Sequence, residues 1–141
     1  MHKLDKLIEF YETLAPESVS ELDRLYAPEA YFKDPFNEVR GPEAIERIFR
    51  NMFNQVTDPR FKIIERIAAE NGAVLVWEFG FRMRHRGLAR AQCIHGVTHL
   101  RFDAEDRVVF HRDYWDVADE LYSKLPLLGS LMRVLQRHLR A

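Results

Sequence analysis

The chain has 141 residues, 47% of them hydrophobic and 12% aromatic, and a formal net charge of −1. That is enough apolar material for one cored domain, which excludes a disordered chain, and the near-balanced charge gives no nucleic-acid footprint. A single cysteine, Cys93, excludes an internal disulfide and fits a reducing compartment. The charged N-terminus lacks a signal-peptide pattern and no apolar run reaches the length of a membrane span, so a soluble cytoplasmic protein with no integral membrane association is expected.

Residues 3–14 carry Leu4, Leu7, Ile8, Tyr11 and Leu14 at three- and four-residue steps, which predicts a helix that turns the Tyr11 hydroxyl inward. Ala15-Pro16 ends it. Ser18 to Glu21 has the pattern of a capping box opening a second helix, with Val19, Leu22, Leu25 and Tyr26 inward. A short strand is expected over 30–34. Gly41-Pro42 then starts a third helix with Ile45, Ile48, Phe49, Met52, Phe53 and Val56 as its apolar stripe. Asp58-Pro59 is a break, and beyond it the period drops to two. Strands are predicted over 61–69 (irregular at Ile63-Ile64), 73–85, 91–102 and 107–115, with turns at Asn71-Gly72, near Arg86-Gly87 and over 103–106. Helical segments over 116–124 and 127–139 close the chain.

Helices first and antiparallel strands afterwards make an α+β fold in which the helices cover one face of the sheet. Along 73–85 the face of Leu75, Trp77, Phe79, Phe81 and Met83 is apolar until His85, so it points at the helices. These aromatics, with Trp115, either fill the space between the layers or line a cavity for an apolar ligand. The opposite face, with Val74, Val76, Cys93, Val97, Phe110 and Tyr114 among Arg82, Arg101, Arg112 and Glu78, is half apolar and reads as a dimer interface.

The stretch Tyr31-Phe32-Lys33-Asp34-Pro35-Phe36 carries the strongest chemical signal. Pro35 holds Asp34 on extended backbone, among large apolar neighbours. Poor solvation raises the basicity of such a carboxylate, which is how a proton-abstracting base is made. The competing reading is a turn aspartate that caps local N–H groups. His111 and Asp113, two apart on one strand, project to the same side as an orienting pair or an acid/base pair. No metal or cofactor is implied. His95 and His99 are four apart on a strand, roughly 13 Å, and Cys93 and His95 share a face without further ligands.

Asp34-Pro35-Phe36 followed by Gly41 and Ile45, together with Leu100-Arg101-Phe102-Asp103, Arg107-Val108 and Asp113-Tyr114-Trp115, resembles the NTF2-like superfamily, which includes ketosteroid isomerase and the SnoaL-like polyketide cyclases. The resemblance implies a single domain over 1–141: an NTF2-like cone whose curved, mostly antiparallel sheet encloses a pocket, with 117–141 as a C-terminal helical extension. It places Asp34 at the isomerase's general base and Tyr11 at its oxyanion-hole tyrosine. Thr98 falls where the isomerase has a protonated aspartic acid, a departure, since threonine donates a hydrogen bond but is a weaker acid. It turns His111, Asp113 and Trp115 toward the pocket, with Asp113 near the acid/base aspartate of the cyclases, and it implies dimerisation through the back of the sheet.

Two functions follow as expectations. One is a cofactor-independent isomerase, cyclase or hydratase acting by proton transfer beside a carbonyl. Its candidate catalytic residues are Asp34, Tyr11, Asp113 and His111; Trp77, Phe79, Phe81, Met83, Thr98, Trp115 and Phe36 would hold an apolar small molecule. The other is a non-catalytic binding or dimeric interaction module. The tail carries Leu125, Leu127, Leu128, Leu131, Met132, Val134, Leu135 and Leu139 opposite Arg133, Arg137 and Arg140; such a stripe caps the pocket mouth, joins a dimer or touches a membrane surface, and packing on its own domain is the favoured expectation.

Overall fold

The computed structural model describes residues 2–83, 91–120 and 126–140, with backbone only for Met83, Pro126, Leu127, Leu128 and Met132. Helix α1 (Lys3–Glu12) leads to a 3-10 turn (Val19–Glu21) and a four-residue α2 (Leu22–Leu25). Strand β1 (Tyr26–Lys33), the short β2 (Glu38–Arg40) and α3 (Pro42–Gln55) follow. Strands β3 (Val56–Ala69), β4 (Gly72–Met83), β5 (Ala91–Phe102) and β6 (Val108–Tyr114) complete the sheet, and α4 (Val117–Glu120) and α5 (Pro126–Leu139) end the chain. The six strands run in the order β2-β1-β6-β5-β4-β3, with β1 and β6 parallel and the other pairs antiparallel. This is the α+β cone expected: helices α1 and α3 lie over a curved, unclosed sheet.

The core forms where periodicities of helix and strand meet. Leu4, Leu7, Ile8, Phe10 and Tyr11 of α1 and Ile45 and Phe49 of α3 are buried against Leu75, Trp77 and Phe81 of β4 and Ile94, Leu100 and Phe102 of β5. Gly41 takes φ +92° where β2 turns into α3. A side chain is strained there, so glycine is needed before Pro42 can start the helix.

The expectations of strand and helix limits needed several corrections. The capping box at Ser18 does not form; the Ser18 hydroxyl instead bonds back to the Ala15 backbone, and the helix it should open lasts one turn. Tyr26 is the first residue of β1, not the last of a helix. The Asp58-Pro59 break lies inside β3, where Asp58 takes φ +51° and the register to β4 shifts. That is a bulge, which lets a proline sit in an edge strand. The irregularity expected at Ile63-Ile64 is also a register shift. The β3–β4 turn comes one residue early, at Glu70-Asn71, with Ala69 paired to Gly72. The turn at Arg86-Gly87, His85 and the helical residues 121–124 lie outside the described residues. Of the tail stripe, Leu131, Val134, Leu135 and Leu139 are exposed and do not pack on the domain as expected, while Leu125 and the side chains of Leu127, Leu128 and Met132 lie outside the described residues.

Trp77 lies across Gly96, its partner on β5. A Cβ on Gly96 would stand 2.4 Å from Cη2 and 2.6 Å from Cζ2 of the indole. Gly96→Ala is therefore expected to push the indole out of place, at a cost of about 1–3 kcal/mol, with a red-shifted tryptophan emission. An unchanged melting temperature and spectrum would contradict this packing.

Candidate functional site

Strand β6 carries His111 and Asp113 on its inner face, opposite Leu100 and Thr98 of β5. Asp113 Oδ1 accepts from the Thr98 hydroxyl at 2.6 Å and faces His111 Nε2 at 2.8 Å. An ionised carboxylate only accepts, so in the neutral ring Nε2 carries the proton and Nδ1 is left as an acceptor. The Tyr26 hydroxyl donates to Nδ1 at 2.7 Å, and the Tyr11 hydroxyl bonds Tyr26. On the other side Trp77 Nε1–H donates to Thr98 Oγ1 at 2.8 Å. Six side chains from α1, β1, β4, β5 and β6 thus form one chain of hydrogen bonds whose donors converge on Asp113 Oδ1. Among the described residues nothing donates to Oδ2.

Burial of Tyr11 and Tyr26 pushes both hydroxyls well above their usual ionisation range, and the nearby Asp113 charge adds to this. The sign is destabilising in alkali. The folded chain keeps both protons where the unfolded chain, ionising near the ordinary value of 10.0, releases them, so stability is intact below that pH and falls above it. The slope is about 1.4 kcal/mol per pH unit for each tyrosine. Melting followed upward from pH 9 should drop steeply above 10, and a Tyr11→Phe/Tyr26→Phe chain, though weaker at neutral pH, should drop less.

Asp113 also lines a cavity of about 580 Å³ between α3 and the sheet. Its apolar wall includes Phe32, Phe61, Trp77, Phe79 and Trp115, and Phe36 sits against Trp115 edge-to-face with ring centroids 5.7 Å apart. Arg47, Asn51 and Gln55, four apart on α3, add a polar edge. A second void of about 20 Å³, lined by Tyr11, Thr98, His111 and Asp113, holds no more than a water.

The sequence-predicted residues therefore fall into groups. Asp34, Phe36, Trp77, Phe79, Asp113 and Trp115 meet at the larger cavity. Tyr11, Thr98 and His111 stand behind it, their polar groups engaged within the network. Phe81 is buried and stacked on Phe79 without lining the cavity, and the side chain of Met83 lies outside the described residues. Asp34 sits one residue past β1 in a turn of its own: Oδ1 accepts from the N–H of Phe36 at 2.8 Å and of Asn37 at 2.7 Å, and the Asn37 amide also donates to both carboxylate oxygens. Sequence reading missed Tyr26, which it placed on a helix, and the polar edge of α3. Arg47, Asn51 and Gln55 follow a four-residue step beside Ile48 and Met52, and that was the available signal.

A family model described as a SnoaL-like domain matches residues 7–111. No curated protein matches the chain. Among solved structures, one described as a SnoaL-like polyketide cyclase from Shewanella putrefaciens CN-32 is 20% identical, with TM-score 0.70, over 84% of this chain and 95% of that one. A protein with a ketosteroid isomerase-like fold from Catenulispora acidiphila, solved with trimethylamine, is 15% identical, with TM-score 0.71, over 85% and 89%. An epoxide hydrolase of M. tuberculosis, described as LEH-like, is 15% identical, with TM-score 0.66, over 99% and 94%. At these identities the likeness is one of fold.

Proposed function

The chain belongs to the SnoaL-like domain family, and from that premise we propose that it binds an apolar carbonyl compound and moves a proton beside the carbonyl, with Asp113 as the base. The observation that carries the reading is the asymmetry of the Asp113 carboxylate. Thr98 and His111 hold Oδ1 while Oδ2 takes no hydrogen bond from the described residues, and the side chain lines the cavity. Oδ2 takes the proton from the α-carbon, the C–H electron pair moves into the enolate, and the same oxygen returns the proton elsewhere on the ligand. His111, Tyr26 and Thr98 orient the carboxylate. The enolate oxygen needs donors, and the expected pair of Tyr11 and Thr98 is engaged in the network. Arg47, Asn51 and Gln55 line the cavity with no hydrogen bond to a described residue, and we assign the donors to them.

The turn bonds of Asp34 favour a positioning role for it at the cavity rim. They also support a second reading, a binder without turnover. The outer face of the sheet, with Val74, Val76, Val97 and Phe110, is proposed as the surface for a second copy.

The test is a thermal-shift screen of wild-type protein against nitrophenols, enones and polycyclic ketones. A ligand at a hundred times its Kd adds about 2.7 kcal/mol, several degrees in a domain of this size. Stabilisation followed by turnover of a carbonyl compound supports the base; stabilisation without turnover supports the binder; no response to any compound class sinks both.

A further inference from the structure

Helix α5 carries a charge pattern that the pocket does not use. Residues 126–141 contain Arg133, Arg137 and Arg140 and no aspartate or glutamate, in a chain whose net charge is −1. The three arginines border one shallow groove with Ser130 and Gln136, so the cations share a side of the helix. Neither Arg137 nor Arg140 pairs with a carboxylate among the described residues. At 3.6 residues per turn Leu131, Leu135 and Leu139 gather on the other side, and Val134 lies at the border, where it also lines the arginine groove. They are uncovered: Leu131 is 53% exposed, Leu135 45%, Val134 39% and Leu139 84%.

We propose that α5 lies on an anionic lipid surface, its leucine face in the acyl boundary and its arginines among the headgroups. A helix of 14 residues with one apolar face and one polar face whose charges are all cationic is the pattern of an interfacial helix. Charge selects the occupant. A helix lying on its own domain or on another protein has no need of a cation-only polar face, whereas an anionic bilayer presents negative charge along its whole length. No helix among the described residues is long and apolar enough to cross a membrane, so the contact is peripheral.

The full chain is mixed with vesicles of phosphatidylcholine alone and of phosphatidylcholine with about one-third phosphatidylglycerol, then sedimented at low and high salt. Each basic residue at such a surface contributes about fivefold in partition, and salt screens it. Binding to the anionic vesicles only, weakened by salt, is expected. Arg137→Gln/Arg140→Gln should lower the partition about 25-fold, and Leu131→Glu/Leu135→Glu should abolish it. All four side chains are solvent-exposed, so far-ultraviolet circular dichroism and melting should not change. Equal binding to both vesicles, or none to either, overturns the proposal. So does a wild-type dimer that the leucine variant converts to monomer without any vesicle binding, since the covered face then belongs to a second copy.

Discussion

Replacing Asp113 by asparagine is expected to slow any proton transfer in this pocket by about 10²–10⁴-fold, the usual worth of a positioned base, while the fold survives. The asparagine carbonyl oxygen can still accept from Thr98 and His111, which now meet at Oδ1 within 2.8 Å. Only the open oxygen is exchanged for an amide nitrogen, which cannot take a proton. The same substitution should strengthen binding of a nitrophenolate, held at a pH where it is ionised, by about tenfold, because a like charge within a few ångströms of the ligand oxygen is removed. The two readouts move in opposite directions only if Asp113 faces the reacting oxygen and carbon. A carboxylate that merely holds β5 to β6 would lose stability on substitution and leave phenolate affinity alone. The matching change at Asp34 reads differently: Asp34→Asn loses the ionised acceptor of a turn that binds the Phe36 and Asn37 N–H groups, so its effect should fall on melting more than on turnover.

The layout of the fold was legible where a period runs long enough to be counted. Leu75, Trp77, Phe79 and Phe81 alternate without a break, and that told which face of β4 meets the helices. Tyr26 was hidden because Val19, Leu22, Leu25 and Tyr26 fit a helical face as well as they fit a turn feeding a strand; the chain leaves the helix after Leu25 because β1 pairs there with β6. Strand β2 is three residues long, too short to show any period. In β6 alternation alone could not choose a face. Val108 and His111 are both buried, three apart, and the β5–β6 register shifts between Arg101 and Phe102. The resemblance to a known family supplied the orientation that counting could not. For the site, sequence picked out Asp34 and Asp113 but could not tell which one spends its oxygens on its own turn, because the choice depends on Asn37 folding back onto Asp34. The tail fails for a different reason. An apolar stripe in sequence says that a surface wants covering, and says nothing about whether the cover is part of the same chain.

His111→Leu is expected to be the most damaging single change in the chain. The ring is 3% exposed and lies tilted against Phe32 with centroids 4.6 Å apart, so leucine fits the space poorly, but the larger loss is polar. The Tyr26 hydroxyl loses the acceptor that it meets at 2.7 Å, and Asp113 loses one of its two donors. A buried hydroxyl left unpaired costs about 1–3 kcal/mol, and a charged partner costs more, so a total of about 3–5 kcal/mol is expected. In a domain of this length that lowers the melting temperature by about 10–15 °C. Removing Tyr26 at the same time should cost less than the two single losses together, since in Tyr26→Phe/His111→Leu the Tyr26 hydroxyl goes together with its acceptor and only the Tyr11 hydroxyl is left without its partners; the coupling should be about 1–2 kcal/mol. His111→Gln, which offers an acceptor and a donor of similar reach, should recover part of the stability but not the directed hydrogen bond that aims the Asp113 carboxylate, so it should melt higher than His111→Leu and still turn substrate over slowly. Additive losses for the pair, or a His111→Leu protein within about 1 kcal/mol of wild type by denaturant melting, would show that these six side chains are separate contacts and not one network.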